Sequence, residues 1–309
     1  MKIHFAATVI VGVFFAVPSA RAGDLLLAGH SADMVFRYDG VTATPFASDP
    51  SMNGPTAMVY DAGGNLLVLS EFSTNVLKFD GTTGAFLGTF IAPATLAGVA
   101  GITDPGDMEI GADGNLYVMS HFNAPGPNVA RFDGVTGAYL GPFVTTVPVR
   151  HQHGLSFGPG GDLFQGNVDG RRVERFNGIT GASMGIFAVE PTMFPIADLA
   201  FSSTSLYVTC DGTNGVARFD AGTGAFLGYL IAPGPGQSYW GILVDGGNLY
   251  LSNTVTGTIR KYDAATGAFI SDTVIGGGAF DITPMVPEPA TLAALAVGAL
   301  AMIRRRRKR

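Results

Sequence analysis

The chain contains one cysteine, Cys210, so no internal disulfide framework can hold it together. Charged residues are only 14% of the sequence, and away from the two ends basic ones are scarcer still. Residues 23–284 hold ten Lys and Arg against 23 Asp and Glu, a net charge near −13. A body so acidic excludes nucleic acid as a partner, because that binding depends on neutralising phosphates. The sequence also lacks a phosphate-cradling glycine loop, a nucleotide motif and any repeated Ser–His–Asp arrangement. Glycine, by contrast, is abundant at 44 residues, as expected where many tight turns join half-buried strands.

What fills the body is a repeat. A basic–aromatic–acidic triplet recurs as Arg37-Tyr38-Asp39, Lys78-Phe79-Asp80, Arg131-Phe132-Asp133, Arg175-Phe176-Asn177, Arg218-Phe219-Asp220 and Lys261-Tyr262-Asp263. Its third residues are 41, 53, 44, 43 and 43 positions apart. A period of this size built from short apolar runs points to a propeller or a solenoid. Each repeat has four strand-like segments separated by turn residues such as Asp113-Gly114-Asn115, which is the make-up of a four-stranded antiparallel blade. The two ends complement each other. Asp24 to Leu27 reads as a second strand without a first, and Phe280 to Ile282 as a first strand without a second. The expectation is therefore an all-β, six-bladed propeller over residues 23–284, closed by N- and C-terminal strands that share one blade and leave no free edge.

The ends carry an address. Residues 1–22 begin with Lys2, continue through an apolar run from Phe5 to Val17 and finish in Ala20-Arg21-Ala22, the layout of a secretory signal peptide. Residues 285–309 contain Pro287-Glu288-Pro289, an apolar run of about 14 residues ending at Ile303, and the basic cluster Arg304 to Arg309. The run is shorter than the ~20 residues that usually span a bilayer, so by itself it reads as a hydrophobic helix that is a weak anchor or lies in the interface, its basic end held on the cytoplasmic side.

That order of Pro-Glu-Pro, apolar segment and arginine cluster closely resembles the PEP-CTERM sorting signal of Gram-negative bacteria. The resemblance implies recognition and removal by an exosortase-type enzyme of the inner membrane, a transient membrane anchor, and delivery to the cell surface or extracellular matrix. Over residues 24–284 the repeat resembles the NHL type and its six-bladed relatives, through Gly114 to Val118 and the Arg-Phe-Asp-Gly turn. It departs from NHL at the end of the second strand, where an Ala-Asp pair is usual and Ser70-Glu71, Ser120-His121, Asn167-Val168 and Cys210-Asp211 stand here.

In an up-and-down blade the loops after the second strand and the approaches to the inner strand emerge at one end, and loops on a rigid scaffold are where function concentrates. That end collects Glu71, His121, Asp169 and Asp211 from the first kind of loop, and Asp107, His151, His153, Asp198, Trp240 and Asp281 from the second. His30 also maps there. A ligand-binding site is expected among Glu71, Asp107, His121, His151, His153, Asp198, Asp211, Trp240 and Asp281. His151-x-His153 has strand spacing, and with His121 it offers imidazoles for zinc or another transition metal. Asp107, Asp198 and Asp281 recur in alternate repeats and offer carboxylates for calcium. The plain alternatives are satisfied loop polar groups and turn-bonding aspartates. The basic residues of the triplet, recurring in every repeat, are expected to be structural. The leading expectation is a non-enzymatic surface or matrix protein that binds an extracellular polysaccharide or a surface protein. The alternative, resting on fold resemblance, is a metal-dependent lactonase- or hydrolase-like or streptogramin-lyase-like enzyme with its site at the channel mouth.

Overall fold

A computed structural model describes residues 23–121, 127–145, 152–211, 215–234, 238–275 and 278–285. The expected signal segment 1–22, His151 and the tail from 286 onward, Pro287-Glu288-Pro289 and the expected C-terminal helix included, lie outside the described residues. Six four-stranded antiparallel sheets form a six-bladed propeller. The innermost strands, one per blade, are Ala279–Pro284 in blade 1, Pro55–Tyr60 in blade 2, Pro105–Ile110 in blade 3, Gln152–Phe157 in blade 4, Ile196–Phe201 in blade 5 and Tyr239–Asp245 in blade 6. Ala279–Pro284 pairs antiparallel with Leu25–Gly29, with Leu27 opposite Ile282, so blade 1 takes its inner strand from one end of the chain and its other three from the opposite end.

The triplet works as one unit at each blade's outer turn. Its aromatic residue (Tyr38, Phe79, Phe132, Phe176, Phe219 or Tyr262) is buried. The Oδ1 of the next residue, Asp or Asn177, accepts the backbone N–H groups two and three positions on, as when Asp80 takes Thr82 (3.1 Å) and Thr83 (2.8 Å). These side chains close the turn. Three of the basic residues reach a carboxylate of their own blade: Arg37 to Asp24 (2.5 Å), Lys78 to Asp61 (2.7 Å) and Arg175 to Asp162 (2.5 Å). The glycine that ends the turn has to be glycine for two reasons. Gly224 has φ +72°, and a Cβ there would sit 1.9 Å from the Phe187 carbonyl oxygen of the preceding blade. Gly181 and Gly84 are pressed against Phe143 and Phe46 in the same way, at 2.0 Å each. The repeat's Thr-Gly is thus a blade-to-blade contact as well as a turn.

Apolar side chains on the faces of neighbouring blades make up the core. Leu67, Leu69 and Val76 of blade 2 meet Met108, Val118 and Phe132 of blade 3. Cys210 is buried at the end of a second strand and forms no disulfide. Among the described residues no helix is long and apolar enough to cross a membrane.

Candidate functional site

In every blade the register between inner and second strand slips near the channel mouth: between Pro55 and Ala57, Pro105 and Asp107, His153 and Leu155, Ile196 and Asp198, Tyr239 and Ile242, and, in blade 1, opposite Leu27 and Gly29. Such bulges re-aim side chains. Here they turn successive residues of the inner strands toward the axis, in three tiers. The upper tier is Thr56, Gly106, His153, Ala197, Trp240 and Phe280, one from each blade, and all six line a cavity of about 230 Å³. The middle tier is Ala57, Asp107, Gly154, Asp198, Gly241 and Asp281. Its three aspartates form the floor of this upper cup and the roof of a second cavity, about 240 Å³, on the other side. Two residues further along each strand from the middle tier, Val59, Glu109, Ser156, Ala200, Leu243 and Thr283 line that lower cavity.

The middle tier alternates carboxylate with small residue, and each carboxylate reaches across to the next blade. Asp107 accepts the N–H of its neighbour Met108 (2.7 Å) and of Leu155 in blade 4 (2.6 Å). Asp198 accepts Leu199 (2.7 Å) and Ile242 of blade 6 (3.0 Å). Asp281 accepts Ile282 (2.6 Å) and Met58 of blade 2 (2.6 Å). Two of the other blade junctions use close backbone approach. A Cβ on Gly154 would lie 2.9 Å from Asp198 Cα, and one on Gly241 would lie 2.6 Å from the Phe280 oxygen. Burial pushes the acids up. Asp107 reaches about 8, through desolvation first and the Asp281 charge second. Asp198 is raised well above the usual range, by desolvation and then by Asp107 and Asp281. Desolvation brings Asp281 to about 6. Glu109 below them is held at about 8 by desolvation, then by Asp107 and Asp281.

Six rings run in an unbroken arc around the upper cup. Phe72 meets His30 edge-on at 5.1 Å, and His30 stacks on Phe280 at 4.0 Å. Phe280 then meets Trp240 at 4.5 Å, Trp240 meets His153 at 5.0 Å, and His153 meets His121 at 3.9 Å. The small upper-tier residues are what make room: Gly106 lies under His121, whose Cβ would be 3.0 Å from a Cβ at that glycine. Glu71 stands at the rim and accepts from His30 Nε2 at 2.9 Å.

Of the residues expected at this end, Glu71, Asp107, His121, His153, Asp198, Trp240 and Asp281 come together in the cup. His151 lies outside the described residues. Asp211 is not among the residues that line this cavity, and its carboxylate accepts the Ser238 hydroxyl at the start of blade 6. Asp169 is exposed and takes no part in the lining. Sequence reasoning missed Thr56, Phe72, Phe280 and Glu109. Two of these had a visible signal, since Phe280 precedes Asp281 at the same tier spacing as Trp240 before Gly241, and Glu109 follows Asp107 at the two-residue period of a strand.

The metal expectations are redrawn as well. His121 and His153 meet ring to ring, tilted by 57°. Among the described residues the metal-competent group of three is Glu71, Asp104 and His121, whose ligand atoms all lie within 4.8 Å of one another. Asp104 is held beside His121 by the main chain, the His121 N–H donating to its carbonyl at 2.7 Å. The three channel aspartates are not among the described groups whose ligand atoms lie this close, and each accepts an N–H from the neighbouring blade.

Residues 286–308 match the family model of the PEP-CTERM protein-sorting motif. No curated protein sequence matches the chain. Among solved structures, the body is similar to a chain of a nidogen–laminin complex, at 14% identity and a TM-score of 0.68, covering 85% of this chain and 98% of that one. It is also similar to a protein of unknown function from Bacteroides caccae (15% identity, TM-score 0.62, covering 86% and 99%). A third likeness is to a catalytically inactive virginiamycin B lyase from Staphylococcus aureus with quinupristin (16%, 0.56, covering 77% and 79%). At these identities the likeness is one of fold.

Proposed function

We propose that this six-bladed propeller, carrying a PEP-CTERM protein-sorting motif, is an exported recognition protein that presents its upper cup to a carbohydrate or protein partner at the cell surface or in the extracellular matrix. In this reading residues 1–22 direct export, residues 23–284 are the displayed body, closed as a ring by the shared blade, and residues 285–309 are a transient anchor removed by an exosortase-type enzyme. The motif implies that processing. The observation that carries the binding half is the cup itself: an arc of six rings over a floor of three carboxylates, built on inner strands whose geometry is fixed by blade-to-blade hydrogen bonds. Preformed concave sites of mixed apolar and convergent polar character are the usual form of a binding site. The likeness to the lyase supplies fold alone, so the binder is preferred to the enzyme.

Two measurements test this. In a host with the sorting machinery, the intact mass of the mature wild-type protein should lack Arg304 to Arg309, and replacing Pro287, Glu288 and Pro289 with alanine should leave the protein in the inner membrane. Arg309 on released wild-type protein would refute the sorting reading. The full chain should also sediment with the producing strain's extracellular matrix, and Trp240→Ala should reduce that by about tenfold, as expected for truncation of an aromatic anchor. Equal retention of both proteins would remove the cup from the function.

A further inference from the structure

The composition of the cup is one-sided. Four carboxylates line it, Glu71, Asp107, Asp198 and Asp281, and among the described residues no Lys or Arg does. Each oxygen of the three floor aspartates accepts one backbone N–H, which leaves a second lone pair on each. The wall adds the faces and edges of Trp240, Phe280 and Phe72, and aromatic faces attract cations. A second kind of polar group is present too. Thr56 is 9% exposed, lines the cup, and its Oγ1 has no hydrogen-bond partner among the described residues. A hydroxyl left unpaired at such burial is unfavourable, and a ligand that donates to it removes that cost.

We propose that the group this cup takes up is a primary ammonium, carried on an amino sugar or a small amine; the inference rests on the cup being the binding face. An ammonium brings three donors and one positive charge to a site that offers carboxylate lone pairs, a threonine oxygen and aromatic faces. A neutral sugar could stack on the wall but would bring no positive charge to favour ionisation of the floor, whose carboxyls are buried and hold their protons. A metal ion is a poorer fit to the floor, since the three aspartates do not form a group whose ligand atoms all lie within 4.8 Å of one another. The cavity, about 230 Å³, is below the ~300–1,000 Å³ of typical small-molecule pockets. It therefore has room for one head group, with the rest of the ligand lying out over the rim at Glu71.

Calorimetric titration of the full chain in detergent at pH 7 tests this with three ligands: a glucosamine trisaccharide, its fully N-acetylated form, and 1,4-diaminobutane. The free amino sugar should bind, and N-acetylation should weaken it by about tenfold or more, because the acetamide carries no charge for the floor or the rings. Glu71→Gln and Thr56→Val, which leave the inter-blade bonds of the floor in place, should each weaken it several-fold. Diaminobutane binding as tightly as the trisaccharide would identify the bare ammonium as sufficient; much weaker diaminobutane binding would show that the sugar ring contributes as well. The proposal is overturned if the acetylated trisaccharide binds as well as the free one, or if none of the three binds more tightly than about 10 mM, a free energy near −2.7 kcal/mol. Matrix retention that still depends on Trp240 would in that case leave the binding reading intact, whereas its loss would end both.

Discussion

Asp198 and Asp220 belong to the same blade, and both carboxylates accept two backbone N–H groups, yet they titrate in opposite directions. Asp220, at the outer turn, takes Gly222 (3.1 Å) and Thr223 (2.8 Å) and also the Thr223 hydroxyl (2.8 Å). Its pKa is lowered, chiefly by the Thr223 side chain and backbone, with nothing substantial to oppose them. Asp198 makes equally direct bonds on the channel wall, but lost hydration and two other aspartates outweigh them and its pKa rises. Hydrogen bonds from the backbone therefore do not decide the charge of an acid; what surrounds the acid does. In this protein the outer circle of acids is favourable as anions. The inner circle holds the blades together while opposing its own ionisation.

The largest effect that would sharpen this contrast is loss of an inner carboxylate. Asp198→Ala leaves the N–H groups of Leu199 and Ile242 without their acceptor, at roughly 1–3 kcal/mol for each buried group. At pH 5, where the raised pKa keeps the carboxyl largely protonated, urea unfolding should show a loss of about 2–4 kcal/mol. At pH 8 the loss should be smaller, since removing an ionised Asp198 also relieves Asp107 and Asp281. An unchanged midpoint at pH 5 would break the idea of an inter-blade staple.

Next in size is the pH dependence of the whole body. Asp107 at about 8, Glu109 at about 8 and Asp281 at about 6 hold their protons more tightly folded than unfolded, so the stability they support is complete below the ordinary values of 3.8 to 4.5 and is lost as pH rises toward 8. The turn aspartates, Asp80 and Asp220 among them, are lowered, so their stabilisation is present above 3.8 and is lost as pH falls below it. Melting temperature should peak between about pH 4 and 6 and decline on both sides. Glu109→Gln should make the alkaline decline shallower, worth on the order of 1–3 kcal/mol at pH 8.5 after discounting for solvent in the channel. A melting temperature still rising from pH 6 to 8.5 would contradict the inner half of the comparison.

The smallest effect concerns the outer circle. Blade 4 already uses Asn177 where the others use aspartate, with the same two backbone bonds to Ile179 and Thr180. Asp220→Asn should therefore leave the melting temperature at pH 7 nearly unchanged and make the decline below pH 4 slightly shallower. A large loss at pH 7 would mean that the charge, and not the acceptor geometry, closes these turns.

Much of this architecture could be read before any coordinates. The triplet, the Thr-Gly turn and the half-blades at the two ends point to a six-bladed propeller because each is a local rule repeated at a fixed period. Asp107, Asp198 and Asp281 stood out because they recur in alternate repeats. What the sequence hid was direction. Whether an aspartate at a bulge points along the axis or sideways to the next blade depends on a register slip that has no composition of its own, and so the bonds by which these three carboxylates brace neighbouring blades were not legible. Thr56 and Phe72 were illegible for the same reason: nothing about a threonine near a strand start, or a phenylalanine in a loop, marks it as facing the axis. Asp211, at an equivalent position in the repeat, bonds the Ser238 hydroxyl of the next blade, a partner its sequence neighbours do not announce.

The alternation of carboxylate and small residue around the middle tier has a consequence for how such a protein can change length. Carboxylate braces join blade 1 to blade 2, blade 3 to blade 4 and blade 5 to blade 6, while at two of the junctions between these pairs, 4 to 5 and 6 to 1, a glycine lets the main chains nearly touch. The unit that repeats with all its contacts is therefore the pair, and the molecule is three couples arranged in a circle. Adding or losing one blade would put two carboxylates, or two small residues, next to each other somewhere in the bore. A lineage that keeps this tier can grow or shrink by couples, and parity becomes a structural constraint written in three aspartates.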